Sequence, residues 1–124
     1  MKESLIKVDV TTRHLPDHPA NTDEKYAFAY QIVITNESDL PVQLISRYWL
    51  ITDGSGKKSE VQGEGVIGKQ PNIAPGENFE YTSGAVIDTP VGTMEGYYQM
   101  QTEEGDLFKV PIDVFTLAVP NIIN

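Results

Sequence analysis

The string Gly63-Glu64-Gly65-Val66-Ile67-Gly68-Lys69-Gln70 carries the strongest chemical signature in this chain. It satisfies G-x-G-x-x-G and also G-x-x-x-x-G-K. Loops of this kind bind phosphate because glycine lets backbone N–H groups converge on an anion, and because a helix beginning there adds its dipole. The neighbouring residues argue against both nucleotide-enzyme versions. Gln70 stands where a P-loop needs the Ser or Thr hydroxyl that holds Mg²⁺, and Pro71 and Pro75 forbid a regular helix after the loop. No βαβ pattern surrounds it. Two readings remain. Gly63, Gly65 and Gly68 form a backbone nest for pyrophosphate or a nucleotide, with Lys69 as counter-charge, or the glycines let a crossover pass over a sheet end.

Arg47 is the other charge with a chemical reading. In an alternating strand it falls in phase with Ile45 and Trp49, so it shares a face with apolar residues. It either binds an anion together with the glycine-rich loop or pairs structurally at a sheet edge, with a carboxylate such as Glu95. His14 and His18 are spaced i, i+4, but Pro16 and Pro19 rule out the helix that would align them. With Asp17 and Asp23 they could approach a divalent metal, yet a solvated loop is the expectation and no metal site is assigned. Asp53-Gly54-Ser55-Gly56 lacks the acidic positions of an EF-hand loop, and no G-x-S-x-G nucleophile elbow occurs. Glu103, Glu104 and Asp106 read as solvating charges around a turn. No residue is assigned a catalytic role, no cofactor is expected, and the chain reads as a non-enzyme.

Composition narrows the partners. Lys plus Arg is 9 and Asp plus Glu is 18 in 124 residues, a formal charge of −9. An acidic surface repels phosphate backbones and anionic lipid, so nucleic acid and membrane surfaces are not expected partners. Cysteine is absent, which removes disulfides, thiolate catalysis and thiolate metal sites. The opening segment MKESLIKVDVTTRH lacks the apolar run of a secretory signal, and no window approaches the 18 apolar residues of a membrane span. A cytoplasmic location is the simplest expectation.

The elements that must position these residues read as strands. Val and Ile number 22 against 13 for Leu and Ala, and ten glycines and eight prolines punctuate the chain. Ile6, Val8 and Val10 alternate with polar residues. Tyr26, Phe28, Tyr30, Ile32 and Ile34 form the cleanest one-faced strand. Val42 to Thr52 is apolar on both faces, with Ile45, Trp49 and Ile51 on one and Leu44, Tyr48 and Leu50 on the other. It is expected to be a central strand with Trp49 in the core. Asp53–Gly56 predicts a hairpin leading into a short polar edge strand over 57–62. Further strands follow around Phe79–Tyr81, Met94–Met100 and Phe108–Val114, with Glu103–Asp106 as a hairpin tip and Pro111 marking an edge or bulge. The expected architecture is all-β: residues 1–124 as one domain, an immunoglobulin-like or fibronectin-III-like sandwich of about seven to eight antiparallel strands. A small closed barrel is the rival.

Residues 42–100 and 108–120, with YAFAYQIVITNES upstream, closely resemble the ApaG family. W-x-I-x-D, G-x-G-V-x-G-x-Q-P, P-G-E-x-F-x-Y-x-S-G, T-P-x-G-x-M-x-G-x-Y-x-M and F-x-L-x-x-P recur in order. Lys69 is not a fixed feature of the pattern. The resemblance implies a fibronectin-III-like sandwich and a small stand-alone bacterial protein, linked genetically to cobalt sensitivity and magnesium efflux. Eukaryotic relatives carry the domain as an interaction unit in F-box and polymerase-associated proteins, and no enzymatic activity is established across the family. Pyrophosphate binding has been suggested for the loop that corresponds to Gly63, Gly65 and Gly68. The expected function is therefore a binding module for an unidentified protein partner, with a phosphate-rich ligand at Gly63, Gly65, Gly68, Lys69 and Arg47 as the alternative. Either a monomer or a homodimer fits the pattern.

Overall fold

A computed structural model describes residues 5–21 and 25–120. Among them are eight strands: β1 (Ile6–His14), β2 (Tyr26–Asn36), β3 (Val42–Asp53), β4 (Lys58–Glu64), β5 (Asn72–Ile73), β6 (Asn78–Ile87), β7 (Val91–Thr102) and β8 (Leu107–Ala118). All pairing is antiparallel. One sheet has the order β1-β2-β6; the other runs β4-β3-β7-β8, with β5 pairing against the start of β3. The two sheets pack face to face in a fibronectin-III-like sandwich, as the spacing of breakers and the alternation predict.

The heavy face of β2 supplies one side of the core. Phe28, Tyr30, Ile32 and Ile34 are buried and meet Leu44, Trp49, Met94, Tyr98 and Met100 from the opposing sheet. Trp49 sits at the centre, as expected, with Tyr30, Tyr98 and Phe115 presenting ring edges to it at 5.4, 6.4 and 5.7 Å. Ala27 faces the other way and is buried as well, and the segment Leu15–Asn21 runs beside it. Ala27 donates its N–H to Asn21 Oδ1 and accepts from Leu15 N at 2.9 Å.

β3 departs from simple alternation. Its register against β7 shifts between Leu44 and Ser46, a bulge at Ile45. The extra residue reverses the phase, so Val42 and Leu44 face the core on one side of it and Trp49 on the other. The expectation that Leu44 lies opposite Trp49 is thereby corrected. A second bulge lies between Met94 and Gly96 against β8, two positions past Pro111. The hairpins fall where the turn residues put them. Asp53 N donates to Lys57 O at 2.9 Å, and Thr102 N to Asp106 O at 2.9 Å.

Two polar devices tie the sheets together. The hydroxyls of Tyr81 on β6 and Tyr98 on β7 hydrogen-bond to each other in the interior, and burial pushes both phenols well above their ordinary range. At the surface, Asp88 takes Lys25 Nζ on one carboxylate oxygen and Lys57 Nζ on the other, at 2.5 and 3.0 Å. Lys25 and Lys57 flank strands of different sheets. Their hydrogen bonds, Lys25 first, hold the Asp88 carboxyl below its usual value. Solvent screens this clasp, so it orients the loops more than it stabilises the fold.

Candidate functional site

Arg47 reaches the glycine-rich segment from β3. Its register partners are Gly63 on β4 and Tyr98 on β7. Two residues from Trp49, it lies on the inner face as expected, and it travels along that face toward the sheet margin. Nη1 donates to Gly65 O at 2.9 Å and to Glu64 O at 3.3 Å. Gly63 leaves room for this: a Cβ there would lie 2.7 Å from Arg47 Nη1. The suggested partner Glu95 pairs opposite Leu50, on the outer face of the sheet. Main-chain carbonyls take the place expected for that carboxylate, because Arg47 and Glu95 lie on opposite faces.

The segment after β4 is a tight hairpin and not a crossover. Val66 and Lys69 exchange backbone hydrogen bonds at 2.8 and 2.9 Å. The two residues between them are both left-handed, Ile67 at φ 44° and Gly68 at φ 77°, the pattern of a two-residue type I′ turn. Glycine suits the second position; the β-branched Ile67 is strained at the first, and it is 54% exposed. Gly65 is left-handed too, and a Cβ there would run into the Lys69 carbonyl. Its N–H donates to the bulge carbonyl Ile45 O at 2.8 Å, which also accepts Gln70 Nε2 at 2.9 Å. Val66 is fully buried and anchors the hairpin in the core.

The structure thus gathers Arg47, Gly63 and Gly65 around one guanidinium. Gly68 and Lys69 lie on the far strand and tip of the hairpin. The N–H groups of Gly65, Val66 and Lys69 all donate within the protein, so within the turn 65–69 the amides left to meet an anion are those of Ile67 and Gly68. Lys69 is exposed. The guanidinium holds the hairpin to β3. Arg47→Ala should therefore destabilise the protein by about 1–2 kcal/mol and speed hydrogen exchange at the Gly65 and Lys69 amides. Unchanged exchange at those two amides would show that the guanidinium does not hold the hairpin.

The histidines are placed apart from this site. The His14 ring tilts against Phe28 with centroids 5.3 Å apart, and His18 Nδ1 accepts the N–H of Ala20 at 3.0 Å. Asp23 lies outside the described residues. Among the described residues no group of three or more His, Asp or Glu side chains is placed to hold a metal ion.

One surface feature escaped the sequence reading. On the outer face of the four-stranded path, Tyr48 and Tyr97 stack with centroids 5.1 Å apart and planes 24° from parallel. Lys109 Nζ stands 4.4 Å from the Tyr97 ring centre. Tyr48 donates its hydroxyl to Glu60 at 2.9 Å. That hydrogen bond, followed by desolvation and the nearby carboxylates, pushes the Tyr48 phenol up. Leu50 continues the face beside Tyr48, and Pro111 lies opposite Tyr97 on β8. A signal existed in Gly96-Tyr97-Tyr98: adjacent strand residues face opposite ways, so only one of the two tyrosines can enter the core.

Sequence and fold comparisons agree on the class. Residues 16–102 match the ApaG domain. Protein ApaG of Salmonella arizonae and Protein ApaG of Salmonella paratyphi B are each 54% identical over 119 residues, spanning 96% of this chain and 95% of theirs. The chain belongs to the ApaG family. A solved structure of a Bordetella pertussis protein described as ApaA superposes with a TM-score of 0.89 at 49% identity, covering 94% of each chain. A solved structural-genomics target does so with a TM-score of 0.91 at 44% identity, over 97% of this chain and 91% of that one. An Archaeoglobus fulgidus protein, 8% identical with a TM-score of 0.53 over 92% of this chain and 98% of its own, shares the fold alone. Among the described residues no helix is long and apolar enough to cross a membrane.

Proposed function

We propose that this chain is a non-enzymatic binding module that presents the outer face of its larger sheet to a protein partner. The observation that carries the reading is the stacked Tyr48–Tyr97 pair with Lys109 over one ring. Tyrosines bury large area for little loss of side-chain freedom and are enriched at interface hot spots. Here they sit on a rigid sheet, where their positions are set before any partner arrives. The genetic link of ApaG-like proteins to cobalt sensitivity and magnesium efflux then runs through the partner, with no metal held by the module. The test is retention from lysate at low salt by the wild type and by the doubly substituted Tyr48→Ser, Tyr97→Ser variant. A stoichiometric partner held by the wild type and lost from the variant is expected. Equal retention by both, or by neither, counts against this face.

A phosphate-rich ligand at the hairpin is the second reading. It is supported by the exposed Lys69 and by Ile67, whose strained backbone is of the kind found at ligand clamps. A ligand that binds only the folded state must raise the melting temperature. Calorimetry with pyrophosphate or ATP at about millimolar concentration should then give heat, and silence would leave the glycines structural.

A further inference from the structure

β4 is the least protected strand of the molecule. Three strands of one sheet face four of the other, and β4 is solvent-exposed at every position except the half-buried Gly63. It is an edge: among the described residues β3 is its only hydrogen-bonded neighbour. The opposite edge of the same sheet, β8, carries Pro111 and a bulge, both of which blunt pairing. β4 has neither a proline nor a bulge.

The direction of its free peptide groups follows from its ends. Gly65 N–H donates inward to Ile45 O, and Lys57 O accepts inward from Asp53 N–H. Backbone groups alternate along an antiparallel strand. The odd-numbered residues therefore bond β3, and Lys58, Glu60, Gln62 and Glu64 turn their N–H and C=O groups outward, the Glu64 carbonyl accepting from Arg47 Nη1 as well. These four positions form a self-complementary series about Val61. A two-fold axis through Val61 sets Lys58 of one copy opposite Glu64 of the other, and Glu60 opposite Gln62, each pair occurring twice. The outward residues then become the hydrogen-bonded pairs, and Val61, 40% exposed, meets its own copy.

We infer that β4 is a dimerisation edge that pairs antiparallel with β4 of a second copy, joining the two larger sheets into one continuous sheet. A lysine on an edge usually repels intruding strands. Lys58 is different because the two-fold supplies Glu64 as its cross-strand partner, and such opposite-charge pairs favour one register over its neighbours. The contact is isologous and closes at two copies. The smaller sheet has two edges: β1 lies beside β8, where Thr12 Oγ1 donates to Thr116 O, and β6 carries one charge, Glu80, and no complementary partner for it. The inference is independent of the binding-module reading, since it uses the edge of the sheet and not its face.

The test is sedimentation equilibrium of the full chain from about 1 µM to about 1 mM, with Lys58→Glu and Glu64→Lys. Both side chains are exposed, so the reversals should leave the circular dichroism and melting temperature unchanged. The wild type should dimerise within that range. Each reversal alone places like charges at both pairs and should weaken association roughly tenfold or more. An equimolar mixture of the two variants restores both opposite-charge pairs, one in its native sense and one reversed, and should form a heterodimer as tight as the wild-type dimer. A wild type that stays monomeric throughout overturns the inference. So does a dimer indifferent to either reversal, or a mixture no tighter than its components.

Discussion

Replacing Gly96 by alanine should destabilise the protein by about 4 kcal/mol, enough to leave much of it unfolded at ambient temperature. Gly96 lies directly opposite Trp49 where β7 crosses the middle of β3, and opposite Ile112 on its other side. The bulge on this side belongs to β8, where Asp113 and Val114 together face Glu95, while the register of Gly96 against β3 is regular. A Cβ at this position would penetrate the Tyr48 carbonyl oxygen, and it would stand 2.9 Å from the Tyr48 carbonyl carbon and 3.2 Å from Trp49 Cα. Those are backbone atoms in the best-paired strand of the sheet, flanked on both sides. They can retreat only by breaking hydrogen bonds between β3 and β7 or by moving Trp49 out of its aromatic cage. Urea denaturation followed through Trp49 fluorescence measures the loss. A midpoint equal to that of the wild type would show that β3 yields at this point without loss, and that the close approach of the two strands does not require glycine.

Much of this architecture was legible because the chain is consistent at each level. β2 alternates without interruption over five heavy residues, and those residues line the core. The turns at Asp53–Gly56 and Glu103–Asp106 carry residues suited to no other role. What stayed hidden was whatever depends on a partner strand. Nothing in Leu44-Ile45-Ser46 announces a bulge, since the extra residue is defined only by the register of β7 opposite. That one residue reversed the side assigned to Leu44. β5 is two residues long and has no period to read. The phase of Arg47 with Trp49 puts it on the apolar face, but its partners are main-chain carbonyls of a hairpin that no period announces. The same holds for the glycines. Their spacing matches a phosphate loop, whereas Val66–Lys69 pairing and the contact of Gly65 with the Lys69 carbonyl require the same glycines for a tight turn. Spacing alone cannot separate the two uses, because both need left-handed backbone.

Asn36 shows the limit from the opposite side, and it carries the second large expected effect. Its sequence neighbourhood, Asn-Glu-Ser-Asp before Pro41, reads as an ordinary turn, yet Asn36 is fully buried. Its Nδ2 donates to Leu40 O at 2.8 Å and to Ile73 O at 3.0 Å, and its Oδ1 accepts Ser38 N–H at 3.0 Å and Ser38 Oγ at 2.6 Å. Its backbone N–H donates to Glu77 O, and its carbonyl accepts from Gly76 N. One side chain therefore joins the end of β2, the turn into β3, and β5. Asn36→Ala strands Ile73 O and Ser38 N–H in the interior and should cost about 3 kcal/mol. Asn36→Asp should be worse near neutral pH, because a buried carboxylate would face two carbonyl oxygens with no proton to share. Burial favours the protonated form of such a group, so its folded-state affinity for a proton exceeds that of the unfolded chain. The sign follows: the aspartate variant is least handicapped in acid, and its deficit grows as pH rises through the folded-state titration. Melting curves of the three proteins across acid to neutral pH decide the matter. A wild-type-like alanine variant, or an aspartate variant whose deficit is independent of pH, would show that this asparagine does not hold the two sheets' loops together.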